Sequence, residues 1–141
     1  LCCVFPRVGL VPDVGAFFTL PRMVGLQKAK EIMFTGRPLD AMEAKDLGIA
    51  MEVHKSDDLM NAAMELAERL CKASTPAIGA TKRILNQSFN LDANALIEME
   101  AAAQAVCLSS DYHSNAIQGF LNKNPMAYDW ERMDREAKKG S

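Results

Sequence analysis

The run from Val8 to Gly25, Val-Gly-Leu-Val-Pro-Asp-Val-Gly-Ala-Phe-Phe-Thr-Leu-Pro-Arg-Met-Val-Gly, contains the residue best suited to moving a proton. Asp13 follows Pro12 and precedes Val14-Gly15, at the mouth of an apolar stretch that can form a helix over 14–23 despite Pro21. Burial beside Val11, Val14, Phe17 and Phe18 would penalise the charged carboxylate, whereas free amides at a helix start would favour it. That balance decides whether Asp13 is an acid, a base or a cap. Aspartate just before a helix is a common N-cap, worth about 1 kcal/mol. A lone Pro-Asp-x-Gly does not by itself separate the cap from the proton carrier.

The elements that would position this segment are mostly helical. Leu26, Ala29, Ile32 and Met33 recur at helical spacing and predict a helix over 26–34 that stops at Thr35-Gly36. Asp40 caps a short helix over 41–47, closed by Gly48, and Ile49 to His54 reads as a brief strand. Leu1 to Val4 is a second β-like run. The stripe Leu59, Ala63, Leu66 and Leu70 marks the strongest helix, beginning at Ser56-Asp57. Pro76 separates it from a helix over 77–89, and Asn90-Leu91-Asp92 restarts a long one to about residue 108. Ser109-Ser110-Asp111 caps another over 112–123, which Asn124-Pro125 terminates. The charged tail 128–139 is marginally helical, with Trp130 and Met133 as anchors.

Composition bounds the function. Sixteen basic and eighteen acidic side chains leave a net charge of -2, so no overall basic field exists to hold nucleic acid or an anionic membrane. Apolar runs fall far short of the roughly 20 residues of a membrane span. Cys2, Cys3, Cys71 and Cys107 show no Cys-x-x-Cys spacing, and only His54 and His113 could join them, so no metal site is expected. Cys71 and Cys107 fall at apolar helix positions and read as small core residues in a reducing compartment, the cytoplasm being the default. The chain opens Leu-Cys-Cys-Val-Phe without methionine and reads as the interior of a longer protein. Helices with apolar stripes and few strands to cover must pack on one another or on something outside the chain.

Three ordered motifs carry a resemblance: Val-Gly-Leu-Val-Pro-Asp-x-Gly, then Leu-Pro-Arg-Met-Val-Gly-Leu-x-Lys-Ala-Lys-Glu, then Phe-Thr-Gly-Arg-Pro-Leu-Asp-Ala-x-Glu-Ala-x-x-Leu-Gly-Ile-Ala. Over residues 5–50, and more loosely through 73–85 and 115–125, the chain resembles the crotonase superfamily of enoyl-CoA hydratases and isomerases. The resemblance implies a predominantly α chain corresponding to the C-terminal part of the α/β crotonase fold, with one or two short strands followed by a helical trimerisation region. Residues 1–55 would close the crotonase core and carry the Pro-Asp-x-Gly active-site loop, and residues 56–141 would form the helical oligomerisation region. The segments that build the family's oxyanion hole belong to the part of that fold this chain does not resemble. Without them, the isolated 141 residues are expected to be inactive.

Family hydratases use two glutamates. The resemblance places the first upstream of Leu1 and the second at Phe5, which cannot transfer a proton. It therefore points toward isomerases that use an aspartate at the Pro-Asp-x-Gly position, here Asp13. Gly9, Pro12, Gly15, Phe17 and Lys123 are implied as substrate-binding positions, Lys123 near the phosphates or adenine of coenzyme A. Ala16 departs from the second glycine that many members carry. The resemblance further implies a CoA thioester as substrate, no metal or redox cofactor, and a homotrimer or dimer of trimers. Read as residues alone, Gly9 and Gly15 serve turns, Phe17 and Phe18 serve packing, and Lys123 is a cation at a helix C-terminus. Arg22 steadies the loop through backbone carbonyls or is solvated, and the two histidines make surface or polar contacts.

Overall fold

Helix ends fall where the sequence supplies caps, as a computed structural model describing residues 1–137 shows. Contacts divide the chain into two units, Leu1–Met60 and Asn61–Ser141.

In the first unit, a 3-10 turn over Phe5–Val8 leads to helix α1 (Ala16–Val24), α2 (Leu26–Thr35) and α3 (Ala41–Asp46). Helix α1 starts two residues later than the apolar pattern suggests, because Gly15 takes the N-cap. Pro21 lies inside α1, where its missing N–H leaves the Phe17 carbonyl without an i→i−4 donor. Gly25 separates α1 from α2, so the two helices fold back on each other through Leu20, Ala29, Ile32 and Met33. Leu39 joins that core from the following loop, with Cys3, Ala16, Val24, Leu47 and Ile49 packed around it. The Asp40 carboxylate accepts from the Glu43 N–H at 2.8 Å and starts α3 as the sequence indicates.

The strand expected over 49–54 does not form. The Ile49 and Ala50 amides both donate back to the Ala44 carbonyl, closing α3, so they cannot enter a ladder. The β-like run at 1–4 contributes only an isolated antiparallel bridge, Cys2 to Pro38.

Helix α4 (Ser56–Leu70) crosses the division between the units. The second unit continues with α5 (Thr75–Gln87), α6 (Ala93–Leu108), α7 (Asp111–Leu121) and α8 (Trp130–Ala137). Ser74, Asp92 and Ser110 each accept a first-turn amide as N-caps. Pro76 does not precede α5; it occupies its first turn, where its lost donor costs nothing. Within this unit α6 packs against α5 and α7. Helix α8 is anchored by buried Met133, by an ion pair between Arg69 and Asp134, and by the Arg69 guanidinium, 3.9 Å from the centre of the Trp130 ring. The end of the tail expected to be helical, beyond Ala137, lies outside the described residues.

The cysteine expectation needs correction: Cys71 is exposed and Cys107 only half-buried. Cys71 follows the last residue of α4, a helix with no buried residue whose stripe positions Leu59 and Leu70 are themselves exposed. Among the described residues, no group of three His, Cys, Asp or Glu side chains could hold a metal ion, and no helix is long and apolar enough to cross a membrane.

Candidate active site

Residues 1–12 form an arm that ends at Asp13. Its base is fixed by reciprocal backbone bonds: the Leu1 amine donates to the Leu39 carbonyl at 2.9 Å, and the Leu39 N–H donates to the Leu1 carbonyl at 2.7 Å. The 3-10 turn over Phe5–Val8 has Pro6 at its start and is closed by Gly9 at φ 74°. The Leu10 N–H donates to the Phe5 carbonyl at 3.0 Å, and the chain then runs through buried Pro12 to exposed Asp13.

Asp13 does not cap α1. Gly15, at φ 78°, is the N-cap residue, and no side chain accepts from the first-turn amides. The Asp13 carbonyl instead accepts the Ala16 N–H at 3.0 Å, across Val14 at φ 48° and Gly15, two successive left-handed residues as in a mirror-image β-turn. Gly15 adopts this conformation freely. Val14 does not, because its branched Cβ approaches the following carbonyl at a cost of about 1–2 kcal/mol. Its side chain is 93% exposed, so local packing does not offset that cost. Strain of this kind concentrates where backbone geometry serves function. Val14→Asn, which relieves it, is expected to raise the stability of the first unit by about 1 kcal/mol in thermal melts. An unchanged melting temperature would show the turn to be unstrained.

The burial expected around Asp13 is absent from this chain. Val11, Val14, Phe17 and Phe18 are all exposed. Helix α1 commits Leu20 and Ala16 to the core, which directs the two phenylalanines elsewhere. Arg22 covers Phe18, its guanidinium 3.6 Å from the ring centre, and its Nη1 donates to the Phe18 carbonyl at 2.8 Å. The arginine thus steadies its own helix beside the proline.

Gly9, Pro12, Asp13, Gly15 and Phe17 lie on one continuous arm and turn of the first unit, whereas Lys123 belongs to the second. Lys123 is exposed at φ 57°. Its N–H donates to Phe120 O at 3.0 Å and the Asn124 N–H donates to Gly119 O at 2.9 Å, so it fills the left-handed position of a Schellman closure where glycine is usual. It lines an open groove with Phe120, Leu121, Asn124, Pro125, Met126 and Asp129. His54 Nε2 pairs with Glu52 at 2.8 Å, and His113 is half-buried.

A charged cluster escaped the sequence reading. Arg37 lies in the loop between α2 and α3 and reaches both: Nε to Glu31 Oε1 at 2.5 Å, Nη2 to Glu31 Oε2 at 3.1 Å, Nη1 to Glu43 Oε2 at 2.8 Å and Nη2 to Glu43 Oε1 at 2.5 Å. The signal was present, as a glutamate six residues to either side. Hydrogen bonds from Arg37 hold both carboxyls below the usual carboxylate range, against the opposing effect of burial. Carboxyls depressed on folding stabilise the protein above their unfolded value, about 4.3, and lose that contribution as pH falls through the folded value. The melting-temperature gap between wild type and Arg37→Met should therefore be widest near neutrality and narrow as pH falls below about 4.3 toward the depressed folded values. A gap independent of pH would show that the fork contributes only packing.

Comparison with known proteins places this geometry. The enoyl-CoA hydratase/isomerase family model matches residues 2–132. An enoyl-CoA isomerase/hydratase of Mycosarcoma maydis is 31% identical over 121 residues, covering 84% of this chain and 44% of that protein. The crystal structure of an enoyl-CoA hydratase/isomerase from Cupriavidus metallidurans CH34 superposes with a TM-score of 0.84 at 47% identity, over 88% of this chain and 47% of that one. That of a putative enoyl-CoA hydratase from Thermobifida fusca YX, in complex with acetoacetyl-CoA, gives 0.73 at 34% identity, over 77% and 43%. The chain spans about half the length of these relatives. Its helices are those of the C-terminal portion of the crotonase fold. With the family model matched from Cys2 to Arg132 and the fold shared at this level, the chain belongs to the enoyl-CoA hydratase/isomerase family of the crotonase superfamily.

Proposed function

We propose that the protein carrying this chain moves a proton on a CoA thioester, as an enoyl-CoA isomerase or hydratase, with Asp13 as its acid and base. The observation behind this reading is the release of Asp13 from capping: a strained turn gives the N-cap to Gly15 and leaves the carboxylate free of the helix amides.

In the isomerase direction, the carboxylate removes a proton from the carbon α to the thioester, which is also allylic to the double bond. The C–H electron pair forms a bond to the thioester carbon and the C=O pair moves onto oxygen, giving a dienolate. The resulting carboxylic acid returns the proton to a second carbon as the enolate collapses, so one group serves both steps and no electrons are gained or lost. This balance requires neither metal nor redox cofactor. Gly9, Pro12, Gly15 and Phe17 flank the acid and take the acyl end of the substrate, and Lys123 offers a cation to the CoA phosphates. The donors for the thioester oxygen come from outside these 141 residues in this reading. Support for the substrate class comes from the relative crystallised with acetoacetyl-CoA. The enzyme would act in the cytoplasm as a homotrimer or dimer of trimers.

Turnover of 3-enoyl-CoA and dienoyl-CoA substrates by the full-length protein tests the proposal. Conversion of either supports it; failure to convert either, or to hydrate 2-enoyl-CoA, sinks it. A second reading, a non-catalytic helical association module or split-gene subunit, draws on α6, whose Ile97, Val106 and Leu108 are exposed. An associating protein without turnover would favour it.

A further inference from the structure

We infer that Arg37 is a positioning residue for Asp13, acting through the loop on which the Asp13 arm is seated; the catalytic part of this inference rests on the reading above. The loop over 36–39 touches the arm at successive points. Leu39 exchanges both backbone bonds with Leu1, Pro38 forms the bridge to Cys2, and the Cys2 Sγ donates to the Gly36 carbonyl at 3.1 Å. Gly36 lies against the arm so closely that a Cβ there would stand 3.1 Å from the Cys3 carbonyl and 3.5 Å from side-chain carbons of Pro6 and Arg7. These last two residues belong to the 3-10 turn whose bonds at Gly9 and Leu10 set the direction of the chain toward Pro12 and Asp13.

The loop itself is held from the other side. Arg37, two-thirds buried, makes four charge-assisted bonds to Glu31 of α2 and Glu43 of α3, so its planar fork fixes the loop relative to both helices. Lysine would keep the charge but not the two-sided fork. The path therefore runs from the helices to Arg37, from the loop to residues 1–7, and from the 3-10 turn to Asp13.

Amide hydrogen exchange on the full-length protein decides this without reference to catalysis. In Arg37→Met, the Gly9, Leu10 and Ala16 amides are expected to exchange about tenfold faster, a larger change than at Ala29 in α2, with the α6 amides unchanged. Arg37→Lys should show the same pattern at smaller amplitude. Gly36→Ala, which strains the loop at φ 56° and pushes on the arm beside it, should accelerate the same three amides. Unchanged arm amides, or acceleration spread equally over α2 and α3, overturns the inference. In the active enzyme, Arg37→Met should lower kcat about tenfold with KM within about twofold, and Arg37→Lys should restore part of it. Loss of the Asp13 reading would appear separately, as unaltered turnover in Asp13→Asn, while the exchange result would still stand or fall by itself.

Discussion

Asp13→Asn is expected to lower kcat on isomerisable enoyl-CoA substrates by about 10²–10⁴-fold, the usual contribution of a positioned acid–base group. Asparagine keeps the size and planar shape of the side chain but cannot take a proton from carbon. KM should therefore change little, because the groups that hold the thioester remain. The structure also separates this effect from folding. If Asp13 capped α1, Asp13→Ala would cost about 1 kcal/mol while Asn would replace it well. Gly15 holds the cap position instead, so thermal melts of both variants should coincide with wild type. Asp13→Glu makes a third point: one extra methylene displaces the carboxylate by about 1 Å, enough to reduce turnover without removing the chemistry. Equal turnover in wild type and Asp13→Asn would remove the mechanism and leave the family assignment untouched.

The sequence revealed elements whose causes are local. Asp40, Asp92 and Ser110 cap α3, α6 and α7 because a short polar side chain before a helix satisfies a first-turn amide in almost any context. Gly36 and Gly48 end α2 and α3 at positive φ for an equally local reason. What the sequence concealed depends on competition between groups. Asp13 was left between cap and proton carrier, and the backbone turn through Val14 and Gly15 gave the cap position to glycine; no pattern rule predicts a β-branched residue in the left-handed region. The strand expected at 49–54 lost its amides to the Ala44 carbonyl. Phe17 and Phe18 carried a core-like spacing, but α1 buries one stripe only, and Leu20 occupies it. Arg37 was invisible to periodicity because its partners sit on two different helices, and such a bridge exists only after the chain has folded.

Ile32→Ala should cost the first unit about 3 kcal/mol, read as a fall in the midpoint of its unfolding transition in urea. Ile32 is 0% exposed, and among the described residues it is the largest fully buried side chain. Its neighbours in the buried core are Leu20, Ala29, Met33 and Leu39, a set too small to close over the three missing carbons. Truncation therefore removes both the transfer free energy of the lost carbons and the contacts lining the void, the combination that makes buried Ile and Leu truncations cost about 2–5 kcal/mol. Against a typical domain stability of about 5–15 kcal/mol, that is a large share. Ile32→Val, which keeps the branch at Cβ, should cost only about 1 kcal/mol. The same core includes Leu39, whose backbone holds the start of the Asp13 arm, and packs Cys3 and Ala16, which lie on either side of Asp13 along the chain. Loosening it should therefore accelerate exchange at the arm amides in proportion to the stability lost. A cost below about 1 kcal/mol for Ile32→Ala would mean that α1 and α2 can collapse onto the void. In that case the core could not be the rigid base from which the arm presents its carboxylate.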